Sequence, residues 1–317
     1  MPPRSGRRLT AALCSALFIA TQAAADEAVH VGTLAIPKTQ TTQGLSGIEV
    51  SADGTQVLAI SDDGWFLRGQ IQRSDGAPSA FSVDPPPIRM RSLSGDWMAD
   101  HQKDAEGLAM APDGRVFVSF EVYHRVRLWR DLQAPAIWLP DRPENAGFQP
   151  NGGMEALALG PDDALYALPE TMAADGGIPV FRFQVPPQRL RPDGTPIDRH
   201  VDIPWTVAFT LPARGRFRPV GADFGPDGRF YLLERGVIVP IGFRSRVRRF
   251  VFGPDGATNE ETLLETPVGR HGNLEGISVW RDSTGEIRLT MITDDNGLAL
   301  QRNEIVEYRV VRTPADR

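Results

Sequence analysis

Carboxylates recur at two fixed places in a repeated segment of this chain. Glu106, Glu155 and Glu275 open three copies of it, and Asp62-Asp63, Glu121, Glu170, Glu234 and Asp294-Asp295 close five. Carboxylates that face one another repel and raise each other's pKa unless a cation neutralises them. A hard cation is the simplest solution, because calcium takes about six to eight oxygen ligands from carboxylates, amides, carbonyls and water. Glu106, Glu155, Glu275, Asp62, Glu121, Glu170, Glu234 and Asp294 are therefore candidate calcium ligands. The scarcity of histidine counts against zinc.

A cation held there can polarise a phosphoryl or carbonyl oxygen and lower the pKa of a bound water, while a free carboxylate takes the proton. On that chemistry Glu106, Glu155 and Glu275 are candidate catalysts, together with His124, which closely follows Glu121. A phosphate substrate also needs cationic donors, and Lys103, Arg68, Arg125 and Arg235 flank the acidic ends of the segments. Guanidinium groups bind phosphate through two parallel hydrogen bonds, which favours Arg235 among them. His30 and His200 sit in apparent strands and His101 and His271 near segment ends, positions usual for surface or structural histidines. Serine esterase chemistry of the nucleophile-elbow type needs Gly-x-Ser-x-Gly on a strand-to-helix turn. Gly44-Leu45-Ser46-Gly47 has the wrong spacing, so Ser46 reads as a turn or strand-start residue.

The positioning elements are hairpins. Five stretches align without gaps: those beginning at Ser46, Glu106, Glu155, Val220 and Glu275, each with an aspartate seven residues on, at Asp53, Asp113, Asp162, Asp227 and Asp282. Glycine follows directly in Asp53-Gly54, Asp113-Gly114 and Asp227-Gly228, the pairing that tight turns select. Short apolar runs come next, such as Val57 to Ile60 and Phe230 to Leu233, and these read as buried strands. The spacing between segments leaves room for two more strands, with Arg125 to Trp129, Val180 to Phe183, Arg246 to Phe252 and Glu304 to Val310 as third strands. The predicted fold is all-β: a β-propeller with five recognisable blades, five or six in total, of four-stranded antiparallel sheets. Val29 to Ile36 is predicted to pair with the C-terminal strand and close the ring. A sixth blade has room in the Pro-rich stretch from Pro186 to Pro219. Because a hairpin reverses the chain, the start of its first strand and the end of its second share one end, so the acids should meet on one face of the disc. Glu49 and Asp223, three residues into the two segments that lack a starting glutamate, have no explanation at this level.

The first 25 residues differ from the rest. Arg4, Arg7 and Arg8, the apolar run Leu9 to Ala20 and then Ala23-Ala24-Ala25 follow the order of a secretory signal peptide cleaved after Ala25. The apolar run is shorter than the ~20 residues a spanning helix needs, so no stable membrane anchor is expected. The expected mature chain, residues 26–317, is a single domain in the periplasm or outside the cell. It has no cysteine, since Cys14 lies in the leader. With hydrophobic residues at 41% and charged residues at 23%, a folded globular chain is expected. Loss of the three leader arginines takes the formal charge from −6 to −9, which argues against nucleic acid as a partner.

Gln43-Gly-Leu-Ser-Gly47 with Ala59-Ile-Ser-Asp-Asp63, Asp104-Ala-Glu-Gly-Leu108, Asn151-Gly-Gly-Met-Glu155, Leu232-Leu-Glu-Arg235, and Asn273-Leu-Glu-Gly276 with Asp294-Asp-Asn296 together resemble the phytase-like family described as having esterase-like activity. The resemblance runs from about residue 31 to 310. It implies a propeller that hydrolyses esters or phosphate esters, and Glu234-Arg235 is a pair that resembles the family's. Val220 replaces glutamate in the fourth segment, and Met154-Glu155-Ala156 replaces an apolar-Glu-Gly triplet.

Two readings follow. One is an exported monomeric hydrolase that uses calcium and no organic cofactor on a phosphate ester or another small ester, lactones included. The other is a non-catalytic, calcium-stabilised propeller whose acidic face binds a ligand or envelope protein.

Overall fold

The computed structural model describes residues 26–141, 152–173, 176–187 and 203–312. The leader with Cys14, Asn151 and His200 lie outside the described residues. Within them the chain forms twenty-one β-strands and one single-turn 3-10 helix, Asp100–Gln102, and no helix is long and apolar enough to cross a membrane.

The strands make five antiparallel sheets arranged as a propeller. Blade 1 is Leu45–Val50, Gln56–Ser61, Trp65–Ser74 and Ala77–Val83, with the two-residue strand Ile88–Arg89 added at its third strand. Blade 2 is Ala105–Met110, Val116–Phe120, Arg125–Trp129 and Ile137–Trp138. Blade 3 is Met154–Leu159, Ala164–Pro169, Gly177–Gln184 and Thr206–Pro212. Blade 4 is Arg218–Phe224, Phe230–Ile238, Gly242–Gly253 and Gly256–Glu265. Blade 5 is Asn273–Arg281, Ile287–Asp294 and Glu304–Arg312, completed by the first strand of the chain, Asp26–Ala35. That last pairing, Asp26 opposite Arg312 through Ala35 opposite Glu304, closes the ring as the sequence predicts. No sixth blade forms among the described residues, because Thr206–Pro212 is the outer strand of blade 3 and Arg218 already opens blade 4.

The repeated aspartate is a turn residue. In every blade its Oδ1 accepts the backbone N–H two residues on: Thr55 at 3.0 Å, Arg115 at 3.2 Å, Ala164 at 3.3 Å, Arg229 at 3.2 Å and Thr284 at 2.9 Å. An aspartate that bonds its own backbone in this way reverses the chain between the first two strands of a blade. Apolar side chains from both faces of each sheet then fill the five interfaces between neighbouring blades, for example Phe66 of blade 1 edge-on to Trp129 of blade 2 at 5.2 Å. Across the closing seam the Arg73 guanidinium forks onto the buried Glu307 carboxylate, both bonds 2.8 Å.

The inner strands are the part that positions the site. Each touches the inner strands of the blades on either side, so the five stand around one axis. All five carry the same irregularity at the same place: pairing slips between Leu45 and Gly47, Ala105 and Leu108, Met154 and Ala156, Pro219 and Gly221, and Leu274 and Gly276. The residue inside each bulge is the first residue of the repeat, and a bulge re-aims the side chain it carries. The residue after it is small because the next blade is in contact. A Cβ on Gly107 would lie 2.6 Å from the Leu157 Cβ and 2.7 Å from the Glu155 carbonyl oxygen, and one on Gly276 would lie 2.9 Å from the Ser46 carbonyl oxygen.

Gly107→Ala is expected to lower stability by about 1–3 kcal/mol, the usual cost of overpacking a filled site. Urea denaturation measures it, and an unchanged midpoint would mean the inner strands can spread.

Candidate functional site

The bulges and the second-strand ends open into one cavity of about 230 Å³ on the axis. Blade 1 contributes Gly44, Ser46 and Asp62, blade 2 Asp104, Glu106 and Glu121, and blade 3 Glu155 and Glu170. Blade 4 contributes Arg235, and blade 5 Glu275, Asp294 and Asn296. Below this cup the space narrows to about 10 Å³, room for about one water, between the inner-strand glycines.

Seven of the eight candidate ligands and the favoured arginine therefore share a cavity. Glu234 does not line it. Its carboxylate is fully buried inside blade 4, accepting from Arg246 Nε at 2.8 Å and from Arg248 Nε and Nη2 at 2.8 and 2.6 Å. The segment register shows why: Glu121 and Glu170 follow their starting residues by fifteen positions, and fifteen from Val220 is Arg235. Successive strand residues point to opposite faces, so Arg235 takes the cup side and Glu234 the interior.

Four other candidates also lie elsewhere, and one of them, Arg125, stacks its guanidinium 4.3 Å over the Phe120 ring and donates to the Gln102 carbonyl. Arg68 is exposed in the middle of a third strand, where it cannot reach the axis. Lys103 bonds Asp100 at 3.0 Å and lies 3.7 Å from Asp63, outside the residues that line the cup. His124 is buried against the backbone of Gly153, so it braces the approach to Glu155 and does not line the cup. Ser46 does line it, but its hydroxyl donates to the Ala105 carbonyl at 2.5 Å, which ties blade 1 to blade 2.

Asp104 is the cup residue that the sequence reading left unassigned. Its backbone is in the left-handed region at φ 77°. Its N–H donates to the Asp62 carbonyl at 2.8 Å and its carbonyl accepts from Glu121 N at 3.0 Å, so it stitches blade 1 to blade 2. The aligned residue of blade 5, two before Glu275, is Asn273, whose Nδ2 donates to Glu275 at 2.8 Å. Extending the repeat two residues upstream would have found both. The register also explains Glu49 and Asp223. They lie below the cup and accept inner-strand N–H groups of the next blade, Met110 at 3.1 Å and Val279 at 2.6 Å.

The electrostatics follow from crowding. Burial, then Glu155 and Glu275, pushes Glu106 well up; burial, then Glu121 and Glu275, does the same to Glu155. Burial, with Asp294 and Asp63 adding to it, raises Asp62 to about 7. Burial raises Glu275 to about 8 against the opposing pull of Arg235. Arg235 spans the gap between blades, donating to Glu170 at 2.6 Å, to Glu275 and to Asn273 at 3.1 Å. Burial opposes its charge, but Glu275 and Glu170 outweigh that and push its pKa up. One guanidinium against eight carboxyl side chains leaves the cup strongly short of positive charge.

Asp104, Glu106 and Glu121 each offer a carboxylate oxygen within 4.8 Å of the others. Calcium–oxygen distances of ~2.3–2.6 Å allow two ligands of one ion to stand about 5 Å apart, so this all-oxygen triad fits a calcium ion.

Fold and cup together define a five-bladed propeller with a polyanionic axial site. Residues 40–297 match the phytase-like family described as "Esterase-like activity of phytase", and the chain belongs to that family. No curated protein matches the sequence. Among solved structures, the PQQ-bound aldose sugar dehydrogenase of Streptomyces coelicolor is 12% identical over 91% of this chain and 99% of its own, with a TM-score of 0.47. The α-L-arabinofuranosidase PaAbf62A of Podospora anserina, in complex with cellotriose, is 14% identical over 90% and 97%, with a TM-score of 0.48. A protein of unknown function from Dyadobacter fermentans is 10% identical over 91% and 84%, with a TM-score of 0.47.

The raised carboxyls give a pH dependence of definite sign. Between an unfolded value near ~4 and folded values of about 7 for Asp62 and about 8 for Glu275, the native state holds more protons than the unfolded chain. Their stabilisation is complete below that window and is lost as pH rises through it. In chelator the melting temperature should fall from about pH 5 to about pH 8, and calcium should restore more at the upper end. Scanning calorimetry checks this, and a melting temperature that rises across the window would refute it.

Proposed function

We propose that this protein is an exported, calcium-dependent hydrolase of phosphate esters or other small esters, monomeric and active in the periplasm or outside the cell. The observation that carries the reading is the juxtaposition of the Asp104–Glu106–Glu121 triad with Arg235 in one cup.

The three glutamates at the bulges divide the work. Glu106 belongs with Asp104 and Glu121 as a ligand set for calcium. A calcium ion there would polarise a phosphoryl or carbonyl oxygen and make a water easier to deprotonate. Glu275 holds the Arg235 guanidinium, whose planar fork suits two oxygens of a phosphoryl group. Glu155 and Asp62 remain to take and return a proton, and the value of about 7 at Asp62 is near the optimum for general acid–base work at neutral pH. Family membership supports hydrolysis, with the substrate resting on the chemistry of the cup.

The test is hydrolysis of p-nitrophenyl phosphate and p-nitrophenyl acetate by the mature chain. Turnover should vanish in chelator and return with calcium. Glu155→Gln should lower kcat by about 10²–10⁴-fold, the usual worth of a positioned base. Full activity in excess chelator would sink the reading. Calcium that raises the melting temperature without turnover on any ester would replace it with the non-catalytic propeller.

A further inference from the structure

Three segments leave the cup and meet again beside it. The strand that carries Arg235 continues to Ile238 and turns through Val239-Pro240-Ile241. The loop that begins at Asp294 and Asn296 runs on to Leu300 and Arg302. The segment Gly269 to Gly272 leads directly into Asn273 and Glu275. Together they wall a groove of about 390 Å³. Its volume is within the range of small-molecule sites, roughly 300–1,000 Å³.

The groove is apolar where the cup is charged. Val239, Ile241 and Leu300 are 84%, 70% and 99% exposed, an arrangement that leaves large aliphatic side chains in water beside the cup. Contiguous exposed apolar surface of this kind marks a binding site more often than scattered single residues do. Phe243 adds to the apolar wall, and His271, Gln301 and Arg302 are the groove's polar lining. Val237 is two residues beyond Arg235, so on the same face of the strand, and it is 53% exposed in the groove roughly 7 Å along, a span that a medium-length alkyl chain covers.

We infer that this groove holds the aliphatic or acyl tail of the ester whose head group occupies the cup, so the substrate class is amphiphilic. The inference rests on the cup being the ester site. Continuity carries it: each of the three groove segments is the extension of a segment that lines the cup, so a ligand anchored at Arg235 with an apolar tail has an adjoining apolar trough to enter.

Binding of butyl, octyl and dodecyl phosphate to the mature chain in calcium buffer, below their micelle concentrations, tests it by calorimetry. The dissociation constant should fall with chain length, by up to about fourfold per methylene, the factor that about 0.8 kcal/mol gives. The heat-capacity change should become more negative along the series. The double variant Ile241→Ser with Leu300→Ser, altered only at exposed positions and checked by its melting temperature, should bind butyl phosphate as before and lose the dependence on length. Affinity independent of chain length, or a dependence that survives both substitutions, overturns the inference. Co-sedimentation with phosphatidylglycerol vesicles that the variant loses, alongside flat alkyl phosphate affinity, would also overturn it and assign the groove to lipid-surface docking. Hydrolysis of short-chain esters needs only the cup, so its failure would count against the hydrolase reading separately from these binding results.

Discussion

Five inner strands share one axis, and the space they leave each other admits at most a methyl group at the second position of the repeat. Gly47, Gly107, Ala156, Gly221 and Gly276 occupy that position, and the contacts a Cβ would make at Gly107 include the backbone and Cβ of the next blade. The same crowding accompanies the bulge immediately before, where each strand takes up one extra residue and aims it at the axis. Ring closure and the acidic cup therefore have one geometric origin. Whatever residue stands in the bulge is delivered to the axis, be it Glu106, Glu155 and Glu275 or the Ser46 and Val220 of the other two blades.

The molecule treats the arginine-paired carboxylates inside its blades and the carboxyls of the cup in two different ways, and the contrast separates scaffold from site. Among the described residues Glu234 and Glu307 are as buried as any acid, yet each has arginines in place: Arg246 and Arg248 for the first, Arg73 and Arg288 for the second. Such pairs are costly to break, because removing one partner strands a buried charge. In the cup Arg235 alone faces eight carboxyls, and the imbalance appears as raised pKa values at Glu106, Glu155, Glu275 and Asp62. An arrangement that neither pairs its charges nor exposes them must hold protons or a cation.

How much of this was legible in the sequence depended on range. The turns, the short apolar runs and the closing first strand are written locally, so five blades and ring closure could be read from residues such as Asp53-Gly54 and Val29 to Ile36, with the total left at five or six. The cup was legible through the reversal of the hairpin, which places Glu121 and Glu170 beside Glu106 and Glu155. Glu234 was misplaced by one residue because an acid at a strand end looks the same whichever face it takes. Counting fifteen from Val220 would have chosen Arg235 and made Glu234 structural. Lys103, Arg68 and His124 were chosen for proximity in sequence to acidic ends, but proximity along the chain does not fix which way a side chain points. The staples made by Glu49 and Asp223 were beyond reach, since their partners Met110 and Val279 belong to other blades.

The departure at Val220 gives the ring its asymmetry, and asymmetry is what a directional substrate needs. A fourth glutamate in that bulge would add charge to the sector where Arg235 now stands, whereas valine packs into the interface with blade 5 and leaves the guanidinium between Glu170 and Glu275. Blade 2 then carries the oxygen triad and blade 4 the fixed cation, so a phosphoryl or carboxyl group in the cup meets different partners on its two flanks. An anion that drew Arg235 away from Glu275 would remove the influence that holds down that carboxyl's pKa. Already about 8, it would climb further, and Glu275 would hold its proton to higher pH. Anion entry and the protonation of Glu275 are thereby coupled through one guanidinium.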